Sequence, residues 1–202
     1  MKNAPVIIFD LGKVLVDFDY SIAARKIAAR STRSPQDLHA FLGASPLLIG
    51  YETGDLTREV FFEAIRENVG FNGDLKEFGG YFADIFSEIP AMIALHAELR
   101  ESGFKTYIFS NTNDLAIEHV RRNFPFFSKF DGYIYSYEIR AMKPNPAIYE
   151  AMEKMTGRSG ADMIYIDDRP ENIEAGAERG WRAILHETPR KTREMLVKSG
   201  VI

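Results

Sequence analysis

The alternation of short apolar runs with amphipathic segments is the feature that most restricts the folds open to this 202-residue chain. Runs rich in β-branched and aromatic residues have the length of buried strands, and they cover residues 5–10, 105–110, 132–136, 163–167 and 182–186. Helical periodicity flanks them over residues 91–101, 115–123, 146–156 and 171–179. Strands that alternate with helices make right-handed crossovers between parallel neighbours. The sequence therefore predicts an α/β fold with a doubly wound, mostly parallel sheet.

The segment between the first two runs breaks this alternation. Its apolar residues lie at helical spacing without a strand pattern, and the predicted helices cover residues 21–29, 35–42, 58–68 and 75–86. We therefore predict a helical domain inserted after the first strand. The predicted boundaries assign residues 1–16 and 91–202 to the sheet domain and residues 17–90 to the insert.

Composition narrows the classes of partner. The net charge of -4 comes without a cluster of Lys and Arg, so we expect no nucleic-acid partner. The chain has no cysteine, which excludes disulfides and thiolate metal sites. No apolar run has the length of a membrane span, so we expect a cytoplasmic protein without a membrane partner. The expected partner is a small molecule, bound by a monomer or a weak homodimer.

Polar residues at the ends of the predicted strands are the candidate functional residues. Ligands of such sheets bind beyond the carboxyl ends of the strands, and these ends carry Asp10, Ser110-Asn111-Thr112, Lys143 and Asp167-Asp168. Most of them have a structural alternative: an aspartate can cap a turn, serine and asparagine can cap a helix, and a lysine can be solvated. The adjacent aspartates repel each other unless a cation or strong donors compensate.

Together these groups indicate a specific chemistry. A carboxylate nucleophile, hydroxyl and amide donors, a lysine and an acidic pair all reach one predicted sheet edge. The combination suits phosphoryl transfer through a metal-bridged, electrostatically stabilised transition state.

The order of these motifs resembles that of the haloacid dehalogenase superfamily, in its phosphatase branch, over essentially the whole chain. The matching stretches are Ile7-Ile8-Phe9-Asp10-Leu11-Gly12, Ile108-Phe109-Ser110-Asn111-Thr112-Asn113, Met142-Lys143-Pro144 and Ile164-Tyr165-Ile166-Asp167-Asp168, continuing through Arg169-Pro170-Glu171-Asn172. Val16-Asp17-Phe18-Asp19 and Glu52-Thr53-Gly54 add a resemblance to bacterial α-D-glucose-1-phosphate phosphatase-like members. The resemblance implies a Rossmann-like catalytic core with an inserted α-helical cap.

The resemblance also implies a role for each matched residue. Asp10 would attack phosphorus and form an aspartyl-phosphate intermediate, while Lys143 would neutralise charge on the nucleophile and the phosphate. The phosphoryl group would be held by Ser110, Leu11, Gly12, Asn111 and Thr112. The cofactor would be Mg²⁺, which accepts a few hard carboxylates and keeps waters and phosphate oxygens. Its ligands would come from Asp10, the Gly12 carbonyl, Asp168, Asp167 and, through water, Asn172.

Gly12 departs from the family pattern, which has a second aspartate two residues after the nucleophile. That aspartate gives a proton to the leaving group, and such help is worth about 10²- to 10⁴-fold. In this chain the acid is missing or supplied elsewhere. Asp17 or Asp19 could return to the site on a flap, or they could serve as a turn and a helix cap. Without a replacement acid, sugar 1-phosphates should react faster than 6-phosphates because the anomeric hydroxyl is the better leaving group.

The insert lies where family members carry a cap that closes over the site and reads the leaving group. We expect a selectivity loop at residues 51–54, with Glu52 and Asp17 as substrate-binding residues; a plain connecting turn is the alternative. The predicted function is a Mg²⁺-dependent phosphatase for a small phosphorylated metabolite such as a sugar 1-phosphate. Two alternatives stay open: a non-catalytic phosphate-binding module, and a metal-independent dehalogenase, whose branch generally lacks the acidic pair.

Overall fold

A central five-stranded parallel sheet organises the computed structural model, which describes residues 4–202. The strands in chain order are β1 (Val6–Phe9), β2 (Val16–Phe18), β3 (Phe86–Glu88), β4 (Thr106–Ser110), β5 (Gly132–Tyr135), β6 (Met163–Asp167) and β7 (Arg182–Leu185). The sheet has the order β5-β4-β1-β6-β7, and each pair within it is parallel. The predicted doubly wound sheet is confirmed, and its central strand is β1, which Asp10 directly follows.

Helices cover the sheet and build the insert. They are α1 (Tyr20–Ala28), α2 (Pro35–Ala44), α3 (Pro46–Thr53), α4 (Arg58–Val69), α5 (Leu75–Ala83), α6 (Pro90–Glu101), α7 (Asp114–Asn123), α8 (Ser136–Ile139), α9 (Pro146–Thr156), α10 (Pro170–Glu178) and α11 (Pro189–Lys198). Two-sided burial of the sheet follows from the alternation of side chains along β1. Ile7 and Phe9 pack into one apolar cluster, whereas Val6 and Ile8 pack into another on the opposite face.

The inserted helices α1 to α5 have an apolar cluster of their own, in which Phe61, Phe78 and Phe82 are fully buried or nearly so. Leu115 of α7 is the one buried residue of this cluster, within the described part of the chain, that follows the insert in sequence. The insert therefore carries its own core and rests on α7. The boundaries at residues 16 and 91 stay a prediction.

Two expectations for the insert were wrong. We expected no strand there, but β2 and β3 pair antiparallel at its two ends, with Val16 opposite Glu88 and Phe18 opposite Phe86. Three-residue strands are too short to show a period of two, and β3 shortens the helix expected over residues 75–86, which ends at Ala83. Helix α3 was not predicted either, because its Leu-Leu-Ile-Gly stretch shows no amphipathic pattern.

None of the helices formed by residues 4–202 combines the length and the apolar character that crossing a membrane requires.

Candidate active site

Asp10 lies directly after the central strand and is 8% exposed. Its backbone N–H donates to the Ile166 carbonyl at 2.9 Å, which extends the β1–β6 pairing by one residue. Its Oδ1 accepts a hydrogen bond of 2.7 Å from the Leu11 N–H. The sheet therefore fixes this carboxylate at its carboxyl edge.

Lys143 is buried between two carboxylates. Its Nζ lies 3.0 Å from Asp10 Oδ1 and 2.6 Å from Asp167 Oδ2, and it donates to the Phe109 carbonyl at 2.7 Å. Burial alone would lower the pKa of Lys143, but the charges of Asp10 and Asp167 outweigh it and raise that pKa above its ordinary value. The lysine stays charged and ties the loop after β5 to β1 and β6.

The two adjacent aspartates have different surroundings. Asp167 is completely buried, and both of its oxygens are taken by donors, namely Lys143 Nζ, the Tyr165 hydroxyl, the Arg169 N–H and Asn172 Nδ2. Asp168 is half-buried and lines the open cavity. Burial raises the pKa of the Asp168 carboxyl, and the charge of Asp167 adds to that rise. Asp167 thus holds Lys143, while Asp168 faces the space where a ligand would bind.

The acidic groups at this edge fit a hard divalent cation. Oxygen atoms of Asp10, Asp167 and Asp168 all lie within 4.8 Å of one another. Burial raises the pKa of Asp10, the charge of Lys143 opposes that rise, and Asp167 and Asp168 add to it, so one lysine does not balance three carboxylates. The Asn172 Oδ1 is buried without a hydrogen-bond partner. An oxygen-rich, electron-rich set of this kind matches what Mg²⁺ accepts.

The end of β4 supplies the donors of the predicted second motif. Asn111 and Lys143 bind each other reciprocally: Asn111 Nδ2 donates to the Lys143 carbonyl at 3.0 Å, and the Lys143 N–H donates to Asn111 Oδ1 at 2.7 Å. Ser110 and Thr112 are buried and line a smaller pocket next to the main cavity. The helix-cap alternative for Ser110 and Asn111 is wrong, because Asn113 caps α7.

Gly12 begins a tight turn after β1. Leu15 and Val16 donate to the Leu11 carbonyl, and Lys13 adopts a left-handed backbone with φ of 58°. A Cβ at position 12 would lie 2.9 Å from Phe18 Cε1. The Phe18 ring therefore occupies the space that a side chain at this position would need.

Asp17 and Asp19 do not reach the site. Asp17 is exposed, pairs with Lys13 Nζ and lies outside the set of residues that line the cavity, so the structure does not bring this predicted substrate-binding residue to the site. It faces solvent because β2 alternates, and the neighbouring Val16 is buried. Asp19 caps α1, with its Oδ1 accepting from the Ser21 N–H at 2.8 Å. These bonds lower the pKa of both carboxyls, so each is held as a carboxylate.

A cavity of about 220 Å³ opens over Asp10 and joins the sheet edge to the insert. Its lining brings together the predicted Asp10, Gly12, Asn111, Lys143, Asp168, Asn172 and Glu52. Glu52 lies in the last turn of α3, not in a loop, and Gly54 ends that helix with a φ of 81°. Burial raises the pKa of Glu52 to about 7, against the opposing charge of Arg169. Sequence reasoning missed the further lining residues Lys13, Phe18, Tyr20, Leu48, Met142 and Arg169.

A second set of contacts joins the insert to α7 beside this cavity. Arg58 of α4 binds Asp114 through Nε at 2.6 Å and Glu118 through Nη2 at 2.5 Å, and the Tyr51 hydroxyl also binds Asp114. The Ser136 hydroxyl accepts from the Thr112 N–H and donates to the Glu52 carbonyl at 2.5 Å. Ser136 could have been predicted from the sequence, because it directly follows the end of β5, and a position at a strand end is what identified Asp10 and Ser110. Arg58, Asp114 and Glu118 carry no such signal.

Known proteins agree with this architecture. The haloacid dehalogenase-like hydrolase family matches residues 4–180. A D-ribitol-5-phosphate phosphatase of Bacteroides thetaiotaomicron is 24% identical over 199 residues, which are 94% of this chain and 95% of that protein. A haloacid dehalogenase family enzyme of the same species, solved in complex with magnesium and inorganic phosphate, has a TM-score of 0.81 at 24% identity, covering 92% of this chain and 95% of its own. A HAD-like family hydrolase of Porphyromonas gingivalis has a TM-score of 0.79 at 22% identity, covering 95% and 98%.

The family match spans most of the chain and includes Asp10, Ser110, Lys143 and Asp168. The matched residues also include the inserted helices. The chain belongs to the haloacid dehalogenase-like hydrolase family.

Proposed function

We propose that this hydrolase is a Mg²⁺-dependent phosphatase that acts on a small phosphorylated sugar or sugar alcohol. The observation that carries the proposal is the placement of Asp10, which is buried beside Lys143 and clustered with Asp168 at the mouth of the cavity. A nucleophile, a fixed positive charge and a cation site within one cavity are the parts that phosphoryl transfer needs.

In the proposed reaction, Asp10 attacks phosphorus through the oxygen that does not bind the Leu11 N–H, and an aspartyl-phosphate forms. Lys143 holds its positive charge against Asp10 as negative charge builds on the phosphoryl oxygens. Ser110, Asn111 and Thr112, with the backbone of Leu11 and Gly12, orient the phosphoryl group. Mg²⁺, when bound by Asp10, Asp168 and the Gly12 carbonyl, supplies electrostatic stabilisation to that group.

Asp167 and Asn172 have supporting roles in this proposal. Asp167 fixes Lys143 and accepts from Asn172 Nδ2 at 3.0 Å, so its oxygens are already occupied. The buried and unpartnered Asn172 Oδ1 remains as the acceptor for a metal-bound water. The inserted helices act as a cap over the cavity, since α3 delivers Glu52 and Leu48 to its lining.

The substrate class has two supports. The cavity is bounded by both polar and apolar side chains of the insert, which suits a small hydroxylated group more than a polymer. The curated relative acts on ribitol 5-phosphate, and that specificity belongs to that protein. The resemblance to α-D-glucose-1-phosphate phosphatases and the preference for sugar 1-phosphates stay predictions.

Purified protein assayed for phosphate release against sugar, sugar-alcohol and aryl phosphates, and for halide release against 2-haloacids, tests the proposal. We expect phosphate release in Mg²⁺ that stops in chelator. Halide release unaffected by chelator would identify a dehalogenase instead, and no turnover on either panel would favour a non-catalytic module.

A further inference from the structure

Resting on the proposed phosphatase function, we propose that Glu52 is the proton donor to the leaving oxygen, in place of the carboxylic acid that Gly12 lacks. The sheet domain has no carboxylic acid at Gly12, whereas the insert brings the carboxyl group of Glu52 to the same cavity. It gives Glu52 a chemical role beyond contact with substrate hydroxyls.

The geometry of displacement at phosphorus limits where the acid can lie. The attacking and leaving oxygens are roughly in line, so the leaving oxygen lies on the side of phosphorus away from Asp10. Asp10 belongs to the sheet edge, whereas the insert contributes Phe18, Tyr20, Leu48 and Glu52 to the cavity lining. Within this lining, Glu52 is the carboxyl group that neither belongs to the acidic cluster nor attacks phosphorus.

The other nearby acids are engaged elsewhere. Asp17 is exposed, pairs with the cavity-lining Lys13 and does not itself line the cavity, and Asp19 caps α1. The position of the family's second aspartate is filled, because Phe18 Cε1 lies 2.9 Å from where a Cβ on Gly12 would be. In this structure, therefore, neither position 12 nor Asp17 and Asp19 place a carboxyl group in the cavity lining.

Glu52 is held firmly in relation to the phosphate-binding end of β4. Its carbonyl accepts from the Ser136 hydroxyl at 2.5 Å, and that hydroxyl accepts from the Thr112 N–H at 2.9 Å. Gly54, two residues later, packs so closely on the Tyr137 carbonyl that a side chain there would collide with it. These contacts fix the α3 backbone at Glu52 relative to the end of β4, and Glu52 and Ser110 line the same smaller pocket.

The charges around Glu52 allow it to carry a proton near neutral pH. Burial raises the pKa of Glu52 to about 7, and Arg169 is the charge that opposes this rise. A general acid is most effective when its pKa lies near the working pH. The charged and titratable groups that line the cavity with it are Asp10, Lys13, Tyr20, Lys143, Asp168 and Arg169.

The proposed proton transfers balance over the two steps. In the first, the Asp10–phosphorus bond forms, the bond from phosphorus to the leaving oxygen breaks, and that oxygen takes the Glu52 proton as the alcohol departs. In the second, water attacks phosphorus and gives a proton to the Glu52 carboxylate, while the Asp10–phosphorus bond breaks to release phosphate. Glu52 and Asp10 return to their starting forms, and one water is consumed.

The test compares Glu52→Gln with the native protein on a series of aryl and alkyl phosphates whose leaving groups differ in acidity. Glu63→Gln, an exposed change on α4 outside the cavity, is the matched control. We expect Glu52→Gln to lose kcat/KM by about 10²- to 10⁴-fold on alkyl and sugar phosphates, and by only about threefold on 2,4-dinitrophenyl phosphate, which needs no proton. An equal loss across the series, or a change confined to KM for sugar phosphates, would overturn the proposal.

The native protein provides a measurement that needs no variant. The rate on alkyl phosphates should fall as the pH rises through about 7, because the acid loses its proton, while the rate on 2,4-dinitrophenyl phosphate should lack that fall. The same fall for both substrates would contradict the role of Glu52. Absence of phosphate release from every substrate would refute the phosphatase function itself, which is a different result.

Discussion

Lys143 and Asp167 form a buried charged pair whose two side chains are 1% and 0% exposed. Removing one charge of such a pair strands the other in a low-dielectric environment. Asp168 is half-buried instead, and its raised pKa shows that its charge is unfavourable in the folded chain. Neighbouring aspartates of one motif therefore have opposite effects on stability.

This difference gives a prediction for the two isosteric variants. Asp167→Asn should lower the melting temperature by about 6 to 12 °C, corresponding to roughly 3 kcal/mol in a chain of this size. Asp168→Asn should leave the melting temperature unchanged or slightly raised, yet lower the Mg²⁺-dependent rate by roughly 10²-fold or more. Thermal melts and Mg²⁺ titrations of both variants measure this. An equal loss of melting temperature in the two variants would contradict the opposite effects of Asp167 and Asp168 on stability.

The raised pKa of Glu52 predicts how the free energy of unfolding depends on pH. Its pKa is about 7 in the folded chain and 4.5 as an isolated group, so the folded state binds the proton more tightly. Stability from this group is therefore present below about pH 4.5 and is lost as the pH rises through about 7. Glu52→Gln should raise the free energy of unfolding at pH 8 by about 1 to 3 kcal/mol, with little effect at pH 4.5. Denaturant titrations at both pH values check it, and a gain of equal size at both would contradict it.

The site residues that could be predicted from the sequence are those near the ends of predicted strands. Asp10, Ser110 and Asp168 stand at or directly after the ends of buried strands, Lys143 follows β5 and α8, and the topology of a parallel sheet brings such ends together. Asp17 was predicted at the site from its proximity along the chain, which does not tell which face of a short strand is exposed. Asp167 and Asp168 differ because hydrogen-bond donors, Lys143 above all, occupy the oxygens of Asp167. The spacing of residues in the sequence does not show which donors reach which carboxylate.

The insert is joined to the sheet domain by two kinds of element. Strands β2 and β3 pair at its base, and Arg58 and Tyr51 contact α7 through a set of bonds that we call the latch. The latch lies at a partly exposed surface, where side-chain exposures are 26% for Arg58 and 29% for Asp114. Ion pairs of this exposure are worth about 1 kcal/mol together and are weakened by salt.

We expect Arg58→Ala to loosen the closed insert. A loss of about 1 kcal/mol corresponds to about a fivefold change in closing equilibrium, so KM should rise about fivefold with little change in kcat. Arg66→Ala is the matched control, because Arg66 lies on the same helix and pairs with Glu63 of that helix. Steady-state kinetics at low and high salt give the test. A rise of similar size in Arg66→Ala, or none in Arg58→Ala, would rule out the latch.

Helices and strands could be predicted where their residues show a clear hydrophobic pattern. The strands of the sheet and the long helices α4, α7 and α9 have enough residues for a period to appear, and their bounds differ from the prediction by a residue or so. Strands β2 and β3 have three residues each, and α3 is apolar along much of its length, so no period identifies them. Their positions are set by contact between the insert and the sheet, which is tertiary information.

At the scale of the whole molecule, Mg²⁺ should act as a stabilising ligand. A cation among Asp10, Asp167 and Asp168 relieves repulsion that exists in the folded state alone. At 100 times its dissociation constant, the ion should add about 2.7 kcal/mol, or roughly 5 to 10 °C in melting temperature. Asp168→Asn should remove most of this shift. A shift that survives in the variant would place the ion elsewhere.

Asp10 is the residue on which the whole account depends, since its position after the central strand led from the sequence to the cavity and to the proposed reaction. The most direct measurement compares phosphate release by native protein and Asp10→Asn on the best substrate of the panel, in Mg²⁺ and in excess chelator. We expect turnover in the native protein with Mg²⁺, none in chelator because the metal is removed, and none in the variant because an amide is a poor nucleophile. Turnover by Asp10→Asn, or turnover by the native protein in chelator, would contradict it.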